Sequence, residues 1–444
     1  MTITVSRVRR VLRAVPGLLL LAALPAAAAP NPPGGFRGVV VQSMTVVAHG
    51  DRSDLLTVER RTRCSRDCLT IQRSSDGGRT FARLPARGWT SGDLRAVAHP
   101  ALGTVLLSST SAGLAVSTDG GTTFRVVTPV TGLVDARRRD ARSLDVVVAG
   151  DDGPPVLVTL PAGTSRTLPD TGLASPQLVL HPAYPRVPAG QPVAFAAGVD
   201  RATKQPVVLR CDAAFHCGRA VAAGPAGDFA HLYVSPGFAH DHTLLVTTIH
   251  TATVLRSTDG GATFTPVVLV PPRADATATT IQSVVFTPDF DRVAGTGAVY
   301  AAVLRTVSAR DDLVTTDGGV YRSADAATWS RYGGAGATGT GVTALAVDPA
   351  HRVVAAGFFA LPDGGGVVCS RAGTSWRASC AMGATAAGDA GPPAAAGTAP
   401  AKPGATRGAR GGGAAATGAP VADTAAQRST SALAARRSAR HRSG

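Results

Sequence analysis

Ser257-Thr258-Asp259-Gly260-Gly261-Ala262-Thr263-Phe264 decides the reading of this chain, because nearly the same octapeptide occurs twice more, as SSDGGRTF at Ser74–Phe81 and STDGGTTF at Ser117–Phe124. Two degenerate copies follow, SADAATW at Ser323–Trp329, one residue shorter, and CSRAGTSW at Cys369–Trp376. An aspartate in a tight turn accepts hydrogen bonds from nearby backbone N–H groups, and serine does so more weakly. Ser74 with Asp76, Ser117 with Asp119, Ser257 with Asp259 and Ser323 with Asp325 are therefore expected to hold turns. The glycine pairs that end in Gly78, Gly121 and Gly261 permit positive φ where the chain reverses. Thr80, Thr123 and Thr263 re-enter a strand, and Phe81, Phe124, Phe264, Trp329 and Trp376 each offer a ring to bury against neighbouring strands. Each copy reads as a hairpin turn with an anchor, and none of its residues reads as catalytic.

Outward from the turns, a second element recurs. His99-Pro100, His181-Pro182, Ser235-Pro236, Thr287-Pro288 and Asp348-Pro349 each end an apolar run, and another apolar-rich strand follows. Around Asp259 this predicts four strands, at Phe229–Val234, Leu244–Ile249, Ala252–Arg256 and Thr263–Leu269. Asp76 to Asp119 spans 43 residues, and Asp119 to Asp212, where Arg210-Cys211-Asp212 reads as a further degenerate turn, spans 93. A diverged unit is therefore expected between residues 140 and 170. The 66 residues from Asp259 to Asp325 imply an insertion near Pro271–Thr280 or around Ala309–Thr316. Repeats of this length with four strands each predict an all-β fold, a single β-propeller of seven four-stranded blades over residues 29–381. The Phe36–Gln42 stretch is a candidate to pair with the last blade and close the ring.

The pattern S-x-D-x-G-x-T-[FW] resembles the BNR or Asp-box repeat of sialidases, sortilin-type receptors, xyloglucanases and photosystem II assembly factors, over residues 39–381. The resemblance implies that the boxes lie at the blade periphery, on the face away from a catalytic centre, so it carries fold further than function. A sialidase-like site would need an early Arg-Ile-Pro arginine, a tyrosine nucleophile paired with a glutamate, and an aspartate acid/base. The chain has Phe36-Arg37-Gly38 at the first of these, and its one glutamate, Glu59, lies in the first blade. A xyloglucanase-like site would need a cleft between two propellers, and only one is expected.

Residues 1–28 read as a secretory signal peptide: Arg7, Arg9, Arg10 and Arg13, then an apolar stretch from Val15 to Leu24, then the small residues Ala26–Ala29. No later segment is apolar enough to span a bilayer. Residues 382–444 are Ala, Gly, Pro and Thr with scattered Arg and read as a disordered tail. The net charge of +15 falls to about +5 once the leader arginines and the tail are set aside, the tail carrying Lys402 and seven arginines against two aspartates. That remainder is spread along the chain, which argues against nucleic acid. Six cysteines in an exported chain predict three local disulfides, Cys64/Cys68, Cys211/Cys217 and Cys369/Cys380.

The densest cluster of metal-type ligands runs from His231 to His250 and includes His240-Asp241-His242. If extended, His240 and His242 would share a face, but the segment reads more simply as a polar loop, and no metal is expected. The run Arg137-Arg138-Arg139-Asp140 reads as a solvated loop between blades rather than as an anion site. No glycine-rich phosphate loop precedes a helix, so no cofactor is expected. The expectation is a secreted or envelope-associated monomer without catalytic residues that binds an unidentified protein or glycan. A glycoside hydrolase of the sialidase-like type is the alternative.

Overall fold

A computed structural model describes residues 39–49, 52–61, 69–75, 80–90, 93–150, 153–222, 230–248, 251–271, 278–309, 312–332, 341–348, 353–359, 367–371 and 376–377. The expected leader (1–28), Phe36–Gly38, Asp76, Gly78 and the tail (382–444) lie outside these residues. So do Cys64, Cys68, Cys380 and the side chains of Cys369 and Trp376.

The described strands form seven four-stranded antiparallel sheets, each a meander of four strands in chain order. The first blade holds β1 (Val39–His49), β2 (Arg52–Arg61), β3 (Leu69–Ser74) and β4 (Ala82–Arg83). The second holds β5 (Leu94–His99), β6 (Gly103–Thr110), β7 (Gly113–Ser117) and β8 (Arg125–Thr128). The diverged unit is the third, with β9 (Leu133–Arg138), β10 (Leu144–Ala149), β11 (Val156–Leu160) and β12 (Thr164–Thr167). The fourth comprises β13 (Leu173–Leu180), β14 (Ala194–Asp200), β15 (Pro206–Cys211) and β16 (Cys217–Ala222). In the fifth, β17 (Ala230–Val234), β18 (Leu244–Thr248), β19 (Thr253–Ser257) and β20 (Thr265–Val268) fall within a residue or two of the expected strands. A one-turn helix, α1 (Phe238–Asp241), interrupts the link from β17 to β18. The sixth blade has β21 (Ala278–Phe286), β22 (Val299–Ala309), β23 (Asp312–Ser323) and β24 (Ser330–Tyr332). β25 (Gly341–Asp348), β26 (Val353–Phe359), β27 (Val367–Arg371) and β28 (Trp376–Arg377) make the last. The extra residues between Asp259 and Asp325 include a lengthened hairpin, since β22 and β23 have 11 and 12 residues where β18 and β19 have five each.

Both faces of each sheet are buried, so the strands read as apolar runs whose alternate residues serve different neighbours. In β6, Leu106 packs with Leu56, Val58 and Ile71 of the first blade, while Val105 and Leu107 pack with Ala136 and Val146 of the third. The same division continues through the interfaces of blades three and four, four and five, five and six, and six and seven. Val41, Met44 and Val46 then meet Ala344 and Ala346. The first strands of neighbouring blades touch one another at six of the seven junctions, whereas the fourth strands lie chiefly against their own third strand, so β1, β5, β9, β13, β17, β21 and β25 ring the axis.

The ring thus closes by packing of whole blades. This corrects the expected role of Phe36–Gln42: Val39–Val41 pair with Glu59–Arg61 inside the first blade, in β1, and contribute no strand to the last.

Side-chain clasps tie the axial strands together. Ser43 accepts from the Leu94 N–H (3.4 Å), and Asp135 accepts from the Leu180 N–H (2.8 Å) while pairing with Arg95. Gln177 makes two bonds to the Leu232 backbone, donating to its carbonyl (2.6 Å) and accepting from its N–H (3.0 Å). Because each clasp ends on a buried backbone group, losing one leaves that group unsatisfied.

Candidate functional site

The octapeptide turns come first, because they hold the most regularly placed carboxylates. Asp119 Oδ1 accepts from the Ser117 hydroxyl (2.8 Å) and from the N–H groups of Thr122 and Thr123 (both 3.0 Å), and Oδ2 accepts from the Thr123 hydroxyl (2.6 Å). Gly121 N–H donates to Ser117 Oγ (2.9 Å), and Gly120 and Gly121 have φ of +70° and +90°. Asp259 repeats the pattern with Ser257, Ala262 and Thr263. Asp325 does so with Ser323, Ala327 and Thr328, and there Ala326 takes the single left-handed position (φ +58°) that the one-residue deletion leaves.

Hydrogen bonds led by those from the Thr123 side chain and N–H hold the Asp119 carboxyl down at about 2. For Asp259 and Asp325, burial pushes upward, but donation from Thr263 and from the Thr328 and Ala327 N–H groups outweighs it and brings both to about 2. These carboxylates are engaged in turn geometry and hold their protons weakly, which suits neither proton donation nor attack.

The closing rings share one direction. Phe81, Phe124, Phe264 and Trp329 each pack into the interface with the preceding blade, Phe81 against the last. Ser74 is buried and Thr80 exposed. In the fourth blade the turn takes another form. Asp212 Oδ1 accepts from the N–H groups of Ala214 and His216 (both 2.9 Å), Phe215 turns inward at φ +65°, and a Cys211–Cys217 disulfide closes the hairpin. Phe215 packs toward the third blade, as the rings of the octapeptides do toward theirs.

The histidine-rich segment is not extended. Ser235 donates to Asp241 (2.7 Å), His240 sits in α1 with Nδ1 2.8 Å from Asp291 Oδ2, and His242 follows in the left-handed region. The premise that put His240 and His242 on one strand face therefore fails, because the Ser235–Asp241 bond curls the segment into a turn of helix. Among the described residues no group of three or more His, Cys, Asp or Glu is placed to hold a metal ion. The segment serves instead to join three loops: Gln191 of the fourth blade donates to the Ala239 carbonyl (3.1 Å), and Arg292 of the sixth donates to the Asp241 carbonyl (3.2 Å). Beneath this arc His181 is buried, 2.9 Å from Gln191 Oε1, and burial, with the charges of Arg137 and His242, drives its pKa down to about 4 against the upward pull of Gln191.

The arginine run also departs from expectation. Arg137 and Arg138 belong to β9, and Arg137 is 2% exposed, so only Arg139 and Asp140 enter the loop, which joins β9 to β10 within one blade. Arg137 faces Asp145 across the β9–β10 ladder, and Asp145 faces Thr159 across the next. This polar row leads outward from the axis to an open cleft of about 390 Å3 between the third and fourth blades. Its lining includes Arg139, Asp145, Thr159, Thr164, Arg166 and Tyr184. Asp145 is buried, accepting from Thr159 (2.6 Å) and from the Tyr184 hydroxyl (2.7 Å), with Arg139 3.7 Å away. Burial and the bond to Asp145 raise the Tyr184 phenol well above its ordinary value. Arg166 lies over the Phe215 ring at 5.5 Å, so the disulfide-closed turn supports one wall of the cleft. The sequence marked only Arg139 of this cleft, within the arginine run, because Arg139, Arg166 and Tyr184 come from three loops or strand ends that only the blade packing brings together.

Glu59 is 3% exposed in β2 and accepts from Thr57 (3.0 Å), enclosed within the first blade. Among the described residues no helix is long and apolar enough to cross a membrane.

No protein-family profile matches the chain, and no curated protein sequence does. Solved structures do resemble it. YCF48 bound to D1 peptide aligns at 14% identity and a TM-score of 0.38, over 61% of this chain and 77% of that one. The GH74 enzyme of Niastella koreensis aligns at 12% and 0.39, over 78% and 73%. The GH74 xyloglucanase of Xanthomonas campestris aligns at 15% and 0.38, over 76% and 72%.

Proposed function

We propose that this chain is an exported, non-catalytic β-propeller of the Asp-box type that acts as a binding scaffold for a protein or glycan in the cell envelope or outside the cell. One observation carries this reading. The cleft between the third and fourth blades presents arginines and hydroxyls around one carboxylate among the described residues, Asp145, whose two oxygens already accept hydroxyl protons from Thr159 and Tyr184. Glycoside hydrolysis ordinarily needs two carboxyl groups facing the scissile bond, one of them free to give a proton. A cleft with one carboxylate so committed is built to hold a ligand. The Cys211–Cys217 disulfide fits an oxidising compartment, in keeping with a leader over residues 1–28.

The test pairs hydrolysis with binding. Fluorogenic glycosides should show no turnover, and a glycan array or an envelope extract should yield a ligand whose retention falls when cleft residues are changed. Turnover abolished by Asp145→Asn, with melting unchanged, would establish the glycosidase alternative instead.

A further inference from the structure

We infer that the cleft between the third and fourth blades is a site for a small organic oxyanion, a carboxylate or a phosphate ester, received by Arg139 and Arg166. The inference rests on the binding reading above and specifies what the cleft takes.

Charge decides the sign of the ligand. Among the described residues, two guanidiniums and one carboxylate line the cleft, leaving it positive. Asp145 is the obvious lure for a cation, but it is shielded: both oxygens accept hydroxyl protons, and Arg139 stands 3.7 Å away. A cation would also meet two like charges. An anion meets a different wall. Among the described residues the Arg166 side chain makes no hydrogen bond or ion pair, and its guanidinium carbon lies 5.5 Å from the centre of the Phe215 ring. Its N–H groups are thereby left for an oxyanion, the group that a planar guanidinium matches with two parallel bonds. Arg139 is held against Thr159 Oγ1 (3.4 Å) with half of its side chain in solvent, so it too can turn an N–H edge to the cleft.

Size and lining decide the rest. About 390 Å3 exceeds what a bare phosphate fills and lies at the lower end of the range for small-molecule sites. Leu157, the Tyr184 ring and Pro185 supply apolar surface for a ligand body, and Thr164 and Ser165 supply exposed hydroxyls. The Cys211–Cys217 turn holds Phe215, and Phe215 in turn lies within ring-contact distance of Tyr184 (6.5 Å between centroids), so the wall is braced before any ligand arrives.

Calorimetric titration of the full chain with glucose 6-phosphate, glucuronate and glucose separates the possibilities. Binding of either anion, with glucose at least tenfold weaker, is expected. Arg166→Gln and Arg139→Gln should each weaken the anion at least tenfold, Arg166→Lys should restore part of the loss, and raising salt should weaken binding further. Preference for the phosphate or for the carboxylate identifies the oxyanion. Thr164→Tyr, which fills the cleft and keeps both arginines, should abolish binding even if an arginine variant fails to fold. Equal binding of glucose and the anions, no anion binding at millimolar concentration, or anion binding indifferent to all these variants overturns the inference. A glycan that binds elsewhere with the arginines replaced would leave the scaffold reading standing, whereas release of phosphate from the ester would overturn the non-catalytic reading itself.

Discussion

Thr343 donates its hydroxyl proton to the Val41 carbonyl at 2.7 Å, joining the axial strand of the last blade to that of the first across 302 positions of sequence. Both residues are buried beside Met44, Val46 and Ala344. Thr343→Val keeps the shape and removes the donor, so the Val41 carbonyl loses a buried partner. A loss of about 1–2 kcal/mol is expected, read as a lower urea midpoint with an unchanged slope.

Asp259→Ala removes the acceptor of the Ser257 and Thr263 hydroxyls and of two turn N–H groups. It should cost on the order of 1–3 kcal/mol. Thermal unfolding measures it, and ligand affinity at the distant cleft should not change. Wild-type melting with lost binding would contradict the structural role of this aspartate.

The pH dependence of stability should show two separate windows. His181 is held down at about 4 from an ordinary 6.5, so the unfolded chain takes up its proton first; its contribution is full above pH 6.5 and is lost as the pH falls toward 4. Asp119, Asp259 and Asp325 are lowered from 3.8 to about 2, and their contribution is present above pH 3.8 and lost as the pH falls toward 2. Urea midpoints across pH 2–8 should therefore fall in both windows, and His181→Gln should flatten the upper one alone.

Replacing Cys211 and Cys217 by serine opens a six-residue separation. So short a loop gives about 2 kcal/mol in the chain-entropy view, seen as a lower melting temperature. Because Phe215 sits in that turn, the fluorescence of Tyr184 and any anion affinity of the cleft should change as well.

The architecture was legible to the extent that turns repeat. Three almost identical octapeptides and the X-Pro strand ends located the blades, and the four strands around Asp259 were read to within a residue or two. The direction of Phe81, Phe124, Phe264 and Trp329 into the preceding blade was not legible, since a ring's burial can be read from one strand but its neighbour cannot. Arg137 looked like part of a solvated run because three arginines stand together. Strand alternation sends it inward, and its cross-strand neighbour Asp145 lies eight positions away. The cleft was hidden for the same reason: its residues are near only after two blades pack.

The seam between the first and last blades is a junction like any other, since each blade is one uninterrupted stretch of chain. A nick in residues 129–132 would leave two pieces made of whole blades, 39–128 with two and 133–377 with five. Each piece would carry a raw sheet at both ends, one half of the Leu107–Val146 contact and one half of the Val41–Ala344 contact. The two seams carry different side chains, Ala344 and Ala346 in one and Leu107 and Val146 in the other, which favours one order of assembly. That makes this propeller a candidate for reassembly from co-expressed halves, with recovery of the ring as the readout.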